Sequence, residues 1–240
     1  MTTTNPGDPL LAEQIAYYGA RAPEYEQWFR REARYSRGSE ADARWFREFE
    51  LARQRLRSFR ARGNVLEIAC GTGQSISILA ESAATVTAID AAPEMIAEAR
   101  RRSELEAVRF VRTDIFDWEP SGTFDAVVFT FWLSHVPADR ASAFWDLVRR
   151  CLAPGGRVFF ADSLYAPWAT AIDHELEGPG GTSVTRRLND GRTFRIVKRF
   201  FEPVILEEEL RELGWNAAVR ATGDLLLTGE AAPRPGDEEG

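Results

Sequence analysis

The sequence predicts an α/β fold: a parallel sheet covered by helices on both faces, with a helical cap ahead of it and an inserted β-hairpin behind. Three observations carry this. Short strand-like runs alternate with helical ones through the middle of the chain. Those runs are apolar almost throughout, as strands buried on both faces are. A chain of 240 residues is long enough for one sizeable core without staples.

Taken in order, Leu10–Tyr18 and Ala41–Arg62 read as helices that precede the first strand and form a cap or lid. Asn64–Ala69 (NVLEIA) is a short buried strand and Gly73–Ser82 the helix after it. Ala84–Ile89 (ATVTAI) is the second strand. Pro93 then opens a helix to about Arg102, at the first helical position that its ring favours. Val108–Arg112 and Phe124–Phe129 (FDAVVF) are the third and fourth strands. Asp139–Cys151 is a helix, ended by Pro154-Gly155-Gly156, and Arg157–Ala161 (RVFFA) is the fifth strand. Right-handed crossovers set strands of this rhythm parallel. Thr182–Phe201 is two β-like runs around Asn189-Asp190-Gly191, which suits a three-residue hairpin loop with glycine in the left-handed position. Glu207–Leu213 is a helix stopped by Gly214, and Trp215–Thr228 holds the last strands. The organisation expected is one domain over residues 10–229, with the cap at 10–62, the sheet core at 63–165 and the hairpin at 182–201. Residues 1–9 and 230–240 read as loose termini.

Composition narrows the function classes. Apolar residues at 44% and charged residues at 28% exclude a mainly disordered chain. With 30 basic residues against 37 acidic ones the net charge is −7, so no nucleic-acid partner is expected. No apolar run approaches a membrane span, and Met1–Pro9 lacks the basic start and apolar core of a signal peptide. Two cysteines, Cys70 and Cys151, make no disulfide framework and fit a cytoplasmic setting. No metal site is expected.

The sharpest local signal is Glu67-Ile68-Ala69-Cys70-Gly71-Thr72-Gly73, between the first strand and a helix. Gly71 and Gly73 let the backbone turn tightly and approach a ligand, and the helix N-terminus leaves amide donors free. Asp90 ends the second strand and Asp114, in Thr113-Asp114-Ile115, the third. Ligands of open parallel sheets lie beyond the carboxyl ends of the strands, so these turns line one crevice. A carboxylate at Asp90 can accept both hydroxyls of a ribose, Asp114 can accept an adenine amino group, and Ile115 can pack on its ring. The dinucleotide fingerprint wants a third glycine where Ile76 stands. That counts against a nicotinamide-dependent oxidoreductase, and the second acid marks a mononucleoside-like ligand.

Together these residues resemble the class I S-adenosylmethionine (SAM) methyltransferase family. Asn64–Gln74 matches its first motif, Val86–Met95 its second, Arg112–Phe116 its third and Phe124–Phe131 its fourth, so the resemblance covers about residues 60–165. It implies a Rossmann-like, mostly parallel seven-stranded sheet. It implies SAM as cofactor, S-adenosylhomocysteine (SAH) as product, and Glu67, Ala69, Gly71, Gly73, Asp90, Ala91, Met95, Asp114, Ile115 and Phe131 around the cofactor. Ala69 departs from the family's usual glycine; its methyl tightens the space around the methionine part. Tyr17-Tyr18-Gly19-Ala20-Arg21-Ala22-Pro23-Glu24-Tyr25 is similar to a segment that folds over the cofactor in many small-molecule methyltransferases. That likeness implies Tyr17 and Arg21 at the cofactor's carboxylate, which suits a phenol and a guanidinium.

Methyl transfer from a sulfonium needs an aligned nucleophile at near-attack distance, and a base only if that nucleophile is protonated. Thr182–Phe201 holds six basic residues against one acid, and Lys198 is the sole lysine of the chain. A three-residue loop sets Arg186 opposite Phe194 and Val184 opposite Ile196. Strand alternation then gathers these with Leu188, Lys198 and Phe200 on the apolar, core-facing side; a two-residue Asp-Gly turn would put Arg187 there instead. Two cations on that side should not be left unpaired. Their simplest partner is an anionic substrate, because arginine suits a phosphonate or carboxylate fork; the alternative is a solvated edge strand. His135, just past the fourth strand, faces the methyl-group position, as a base or as a donor that orients an anion. His174, in the polar loop Asp173-His174-Glu175, is read as without function.

Trp132–Pro137, Phe144-Trp145 with Ala153–Gly156, and Arg186–Lys198 resemble a small group of bacterial O-methyltransferases that act on phosphonates, of the kind found in dehydrophos biosynthesis. The resemblance implies Arg186 and Lys198 on the phosphonate with His135 nearby. The longer stretch Trp28–Ser39 departs from that group and points to a different or larger pocket, with Tyr35 as a substrate contact. The expectation is a SAM-dependent O-methyltransferase of a small anionic metabolite, a phosphonate by the resemblance. Methylation of a carboxylate, phenol or amine on the same scaffold, an oxidoreductase and a non-catalytic SAM-binding regulator are the alternatives.

Overall fold

The computed structural model describes residues 8–102, 107–120, 122–174, 176 and 178–235; the parts of the expected loose termini at 1–7 and 236–240 lie outside the described residues. The helices are α1 (Pro9–Arg21), α2 (Glu26–Arg30), α3 (Ser39–Phe59), α4 (Ile76–Leu79), α5 (Pro93–Arg102), α6 (Ala141–Cys151) and α7 (Pro203–Glu212). The strands are β1 (Gly63–Ile68), β2 (Ala83–Asp90), β3 (Val108–Arg112), β4 (Phe124–Thr130), β5 (Leu152–Ser163), β6 (Ser183–Arg187), β7 (Thr193–Val197), β8 (Trp215–Ala221) and β9 (Leu226–Pro233). Seven strands form one sheet in the order β3-β2-β1-β4-β5-β9-β8. The pairings from β3 to β5 are parallel, and β9 runs antiparallel to both its neighbours. This is the Rossmann-like architecture that the motifs imply.

The period of two explains why the strands are apolar throughout. Leu66, Ile68, Val127, Phe129 and Phe160 pack on α6 and α7 through Phe144, Trp145, Leu206 and Leu210. Their sequence neighbours Val65, Val128 and Phe159 turn to the other face, against Leu56 and Phe59 of α3 and Ile76 and Leu79 of α4. Each face is covered, so each strand needs apolar residues at both parities.

Several boundaries differ from the sequence reading. The helix expected over 73–82 shrinks to α4, because Gly73 holds φ 79° and cannot continue a helix from there. The helix expected over 41–62 runs from Ser39 to Phe59, where Arg60 turns left-handed at φ 50°. Pro154-Gly155-Gly156 does not end a helix; it lies inside β5, where the pairing shifts from Phe124↔Leu152 to Ala126↔Arg157 as a bulge. The helix α7 starts four residues before the expected Glu207, with Pro203 at its first position. The expected tail begins too early at residue 230: Glu230 and Ala231 pair with Phe159 and Val158. At the other end Pro9 is not loose, because the Asp8 carboxylate caps α1 by accepting the Leu10 N–H at 3.0 Å.

The hairpin β6–β7 is a separate two-stranded sheet with Arg186 opposite Phe194 and Val184 opposite Ile196. Its loop is the three-residue form, with Gly191 at φ 89° and the Leu188 N–H bonded to the Arg192 carbonyl at 2.9 Å. Helix α1 packs on it. The Gln14 amide accepts the Val197 N–H at 3.1 Å and donates to the His135 carbonyl at 3.3 Å. Cap and hairpin thus close together over the carboxyl ends of β1, β2, β3 and β4. No helix among the described residues is long and apolar enough to cross a membrane, and both cysteines are free and buried.

Candidate functional site

A cleft of about 720 Å³ opens at those carboxyl ends. Its floor is the turn after β1. Gly71 holds φ 53° and its N–H donates to the Asp90 carboxylate at 2.9 Å, while the Ala92 N–H donates to the other oxygen at 2.8 Å. Each oxygen keeps a lone pair for a further donor. Asp114 gives one oxygen to the Phe116 N–H at 3.0 Å and keeps the second. Ala69, Ala91, Met95, Ile115 and Phe131 join Gly71, Asp90 and Asp114 on the walls. Two acceptors at successive strand ends, with apolar residues between them, fit a ribose and an adenine. Burial pushes the Asp90 carboxyl up to about 6, so it accepts hydroxyls as a full anion only above that pH.

Ala69 and Phe131 both sit in the left-handed region, at φ 52° and 56°. A glycine would take either conformation freely, whereas a residue with a Cβ gives up roughly 1–2 kcal/mol there. This is why glycine is usual at the position of Ala69.

Four residues expected at the cofactor stand elsewhere. Tyr17 is fully buried against Val184, Leu188 and Ile196 of the hairpin. Arg21 donates to the Tyr35 hydroxyl at 3.3 Å and stacks on the Tyr25 ring at 4.8 Å. Gly73 faces α5, where a Cβ would meet Ala99 at 3.3 Å. Glu67 is buried beneath the loop. The residue that does face the cleft is Tyr18, together with Leu11, Gln14 and Ile15. These positions share one face of α1, and a one-residue step turns a helical side chain by about 100°. The tyrosine pair itself could not say which one points inward; the spacing 11-14-15-18 could.

Burial raises the Glu67 carboxyl to about 8, and one of its oxygens has no hydrogen-bond partner. Its pKa in the unfolded chain is near 4.5, so the folded state holds an extra proton between the two values. Stability from this group is therefore lost as pH rises from 4.5 to 8. Glu67→Gln abolishes that slope: its melting temperature relative to the parent rises steadily across this window in thermal melts, and is flat below it.

A second cavity of about 700 Å³ adjoins the first, and Tyr18, Tyr25, Phe131 and His135 line both. Arg186, Lys198, Arg21 and Tyr35 line the second. The inner face of the hairpin is as its register predicts, but the two cations differ. Lys198 is not unpaired: its ammonium lies 3.5 Å from the fully buried Asp162 carboxylate and donates to the Ser134 hydroxyl at 2.8 Å. Among the described residues Arg186 has only neutral partners, Thr170 Oγ1 and His174 Nδ1, each at 2.5 Å. Arg21 likewise has no carboxylate partner among the described residues. His174, read as functionless, is instead the rest that Arg186 leans on. Burial and Arg186 push it down to about 2, so it stays a neutral acceptor. Asp162, Thr170 and His174 carry no sequence signal, since the end of β5 brings the first to the hairpin and loop packing the other two.

His135 has both ring nitrogens engaged. Nδ1 lies 2.7 Å from the Val197 carbonyl, which can only accept, so Nδ1 carries the proton and Nε2 accepts the Tyr18 hydroxyl at 2.8 Å. Burial, then Lys198, holds its pKa well below the usual histidine range.

A family model described as a methyltransferase domain matches residues 65–156. The structure of DhpI in complex with SAM and HEP is 40% identical, covers 96% of this chain and 100% of its own, and superposes with a TM-score of 0.78. Its complex with SAH covers 94% and 98%, with a TM-score of 0.77. The ubiquinone biosynthesis O-methyltransferase of Xanthomonas axonopodis pv. citri is 34% identical over 161 residues, which are 64% of this chain and 63% of that protein. The demethylmenaquinone methyltransferase of Thermus thermophilus is 40% identical over 124 residues, 49% and 53% of the two chains. The chain therefore spans less than two thirds of these curated relatives.

Proposed function

Since this chain belongs to the class I SAM-dependent methyltransferase family, we propose that it methylates an oxygen of a small phosphonate. One observation carries this reading: among the described residues the second cavity is walled by three cations, Arg21, Arg186 and Lys198, against the one carboxylate of Asp162. A net charge near +2 in a partly dehydrated cavity is stabilised by a dianion, which a phosphonate is near neutral pH and a carboxylate or phenol is not. The likeness of the hairpin to phosphonate-methylating enzymes points the same way.

Asp90, Asp114 and the Gly71 turn would hold SAM, which would supply a sulfonium methyl, the C–S electron pair staying on sulfur as the new O–C bond forms. The acceptor oxygen is already anionic, so no proton has to leave and no general base is required. Arg186 and Lys198 fix the anion and aim its oxygen at the shared wall. His135 orients Tyr18 by accepting its O–H, rather than acting as a free base. Tyr17 backs the hairpin, and Arg21 and Tyr35 complete the anion's cage.

The test is incubation with SAM and a panel of phosphonates, carboxylates, phenols and amines, read by mass spectrometry for a gain of one methylene. Products from phosphonates alone support the reading; products from phenols or amines alone overturn it. The pH dependence adds a second check. Burial, opposed by Asp162, lowers the Lys198 ammonium to about 8. It is charged below that value and neutral above, so kcat/KM for the acceptor falls as pH rises through about 8, while SAH affinity does not.

A further inference from the structure

The second cavity has nearly the volume of the cofactor cleft, about 700 Å³ against about 720 Å³. Arg186 and Lys198 come from the hairpin, whereas one end of the lining, which reaches the shared wall at Phe131, is aromatic. Trp28, Trp45 and Phe131 form that end, with Trp28 at 4.7 Å from Trp45 and 4.8 Å edge-on to Phe131 by ring centroids. The Trp45 indole N–H donates to the Phe29 carbonyl at 3.2 Å, so the polar edge of this ring is satisfied within the protein. Ala169 and Leu225 line the same end and bring no charge.

A cationic group is a poor occupant there. Arg31 already lies over the Trp45 ring at 5.0 Å, so the cation–π position is filled. Nor is Arg31 free for a second anion, since it pairs with Asp42 at 3.5 Å and donates to the Ala169 carbonyl at 2.8 Å. What the end offers is ring faces and edges at the spacing of aromatic packing.

We propose that the acceptor's organic group is aromatic or comparably bulky and apolar, seated among Trp28, Trp45 and Phe131 while its anionic head meets Arg186 and Lys198. This rests on the phosphonate reading above for the head and adds the tail.

The experiment is calorimetric binding to the SAH-loaded protein, with benzylphosphonate, methylphosphonate, phenylacetate and acetate as probes, followed by turnover of each with SAM. Benzylphosphonate is expected to bind at least tenfold more tightly than methylphosphonate. Trp28→Ala brings that ratio close to one, and Trp28→Phe keeps most of it. Ala169→Phe, which fills the space from another loop, lowers the ratio too and guards against a Trp28 variant that does not fold. Equal binding of the two phosphonates, or a ratio unmoved in every variant, overturns the aromatic tail and leaves the phosphonate head standing. Methylation of phenylacetate but of neither phosphonate overturns the head alone, and the phenylacetate-to-acetate ratio then still reports on the tail.

Discussion

Arg186→Ala raises KM for a phosphonate acceptor by about a hundredfold and leaves SAH affinity within a factor of two. The guanidinium can give an anion two charge-assisted hydrogen bonds, together worth on the order of 3 kcal/mol. Its partners among the described residues, Thr170 and His174, are neutral, so removing it strands no opposite charge there. The apo protein should consequently lose no stability and can gain some, because a guanidinium held without a counter-ion costs free energy in an empty cavity. Arg186→Lys keeps the charge but not the fork, and recovers part of the loss. Steady-state kinetics, SAH titration and a thermal melt decide the matter together. An equal loss in acceptor and SAH binding means that the hairpin serves the fold and not the acceptor.

Lys198→Ala behaves differently, because Asp162 lies beneath it with no exposure to solvent. Removing the ammonium leaves that carboxylate buried without an opposite charge, at a cost of about 3 kcal/mol. The Ser134 and Ser163 amides still donate to it at 2.8 and 2.7 Å, which keeps the loss from being larger. Adding Asp162→Asn to Lys198→Ala removes the stranded charge and restores part of the stability, since the asparagine oxygen can accept only one of the two amides, but it does not restore the acceptor binding. Urea unfolding of the two single variants and the pair measures the coupling. If Lys198→Ala unfolds at the parent's urea concentration, the amides alone hold Asp162 and the ion pair contributes nothing.

The contrast between these two cations shows what the sequence made legible. Local rules suffice for the sheet, since apolar runs of strand length, the Gly71–Gly73 turn and the acids Asp90 and Asp114 all act through neighbours in the chain. They narrow the hairpin face to two forms, and the three-residue form found at Asn189-Asp190-Gly191 sets the register that puts Arg186 and Lys198 on one side. They do not reach Asp162, which lies 36 residues before Lys198 and meets it from the carboxyl end of β5. Nor do they reach His174, brought to Arg186 by an irregular loop. The choice of Tyr17 over Tyr18 failed for an intermediate reason: the helix was legible, but its rotation about its own axis depends on what it packs against, and that is the hairpin.

The Gln14 clasp has a consequence for how the acceptor chamber comes into being. Its partner, the Val197 amide, is 183 residues away along the chain. Contacts of such separation close only after the entropy of a very long loop has been lost. During synthesis α1 therefore waits, its apolar face uncovered, while the nucleoside-binding strands can pair among themselves. The donor crevice can thus take shape on a nascent chain that has as yet nowhere to hold an acceptor.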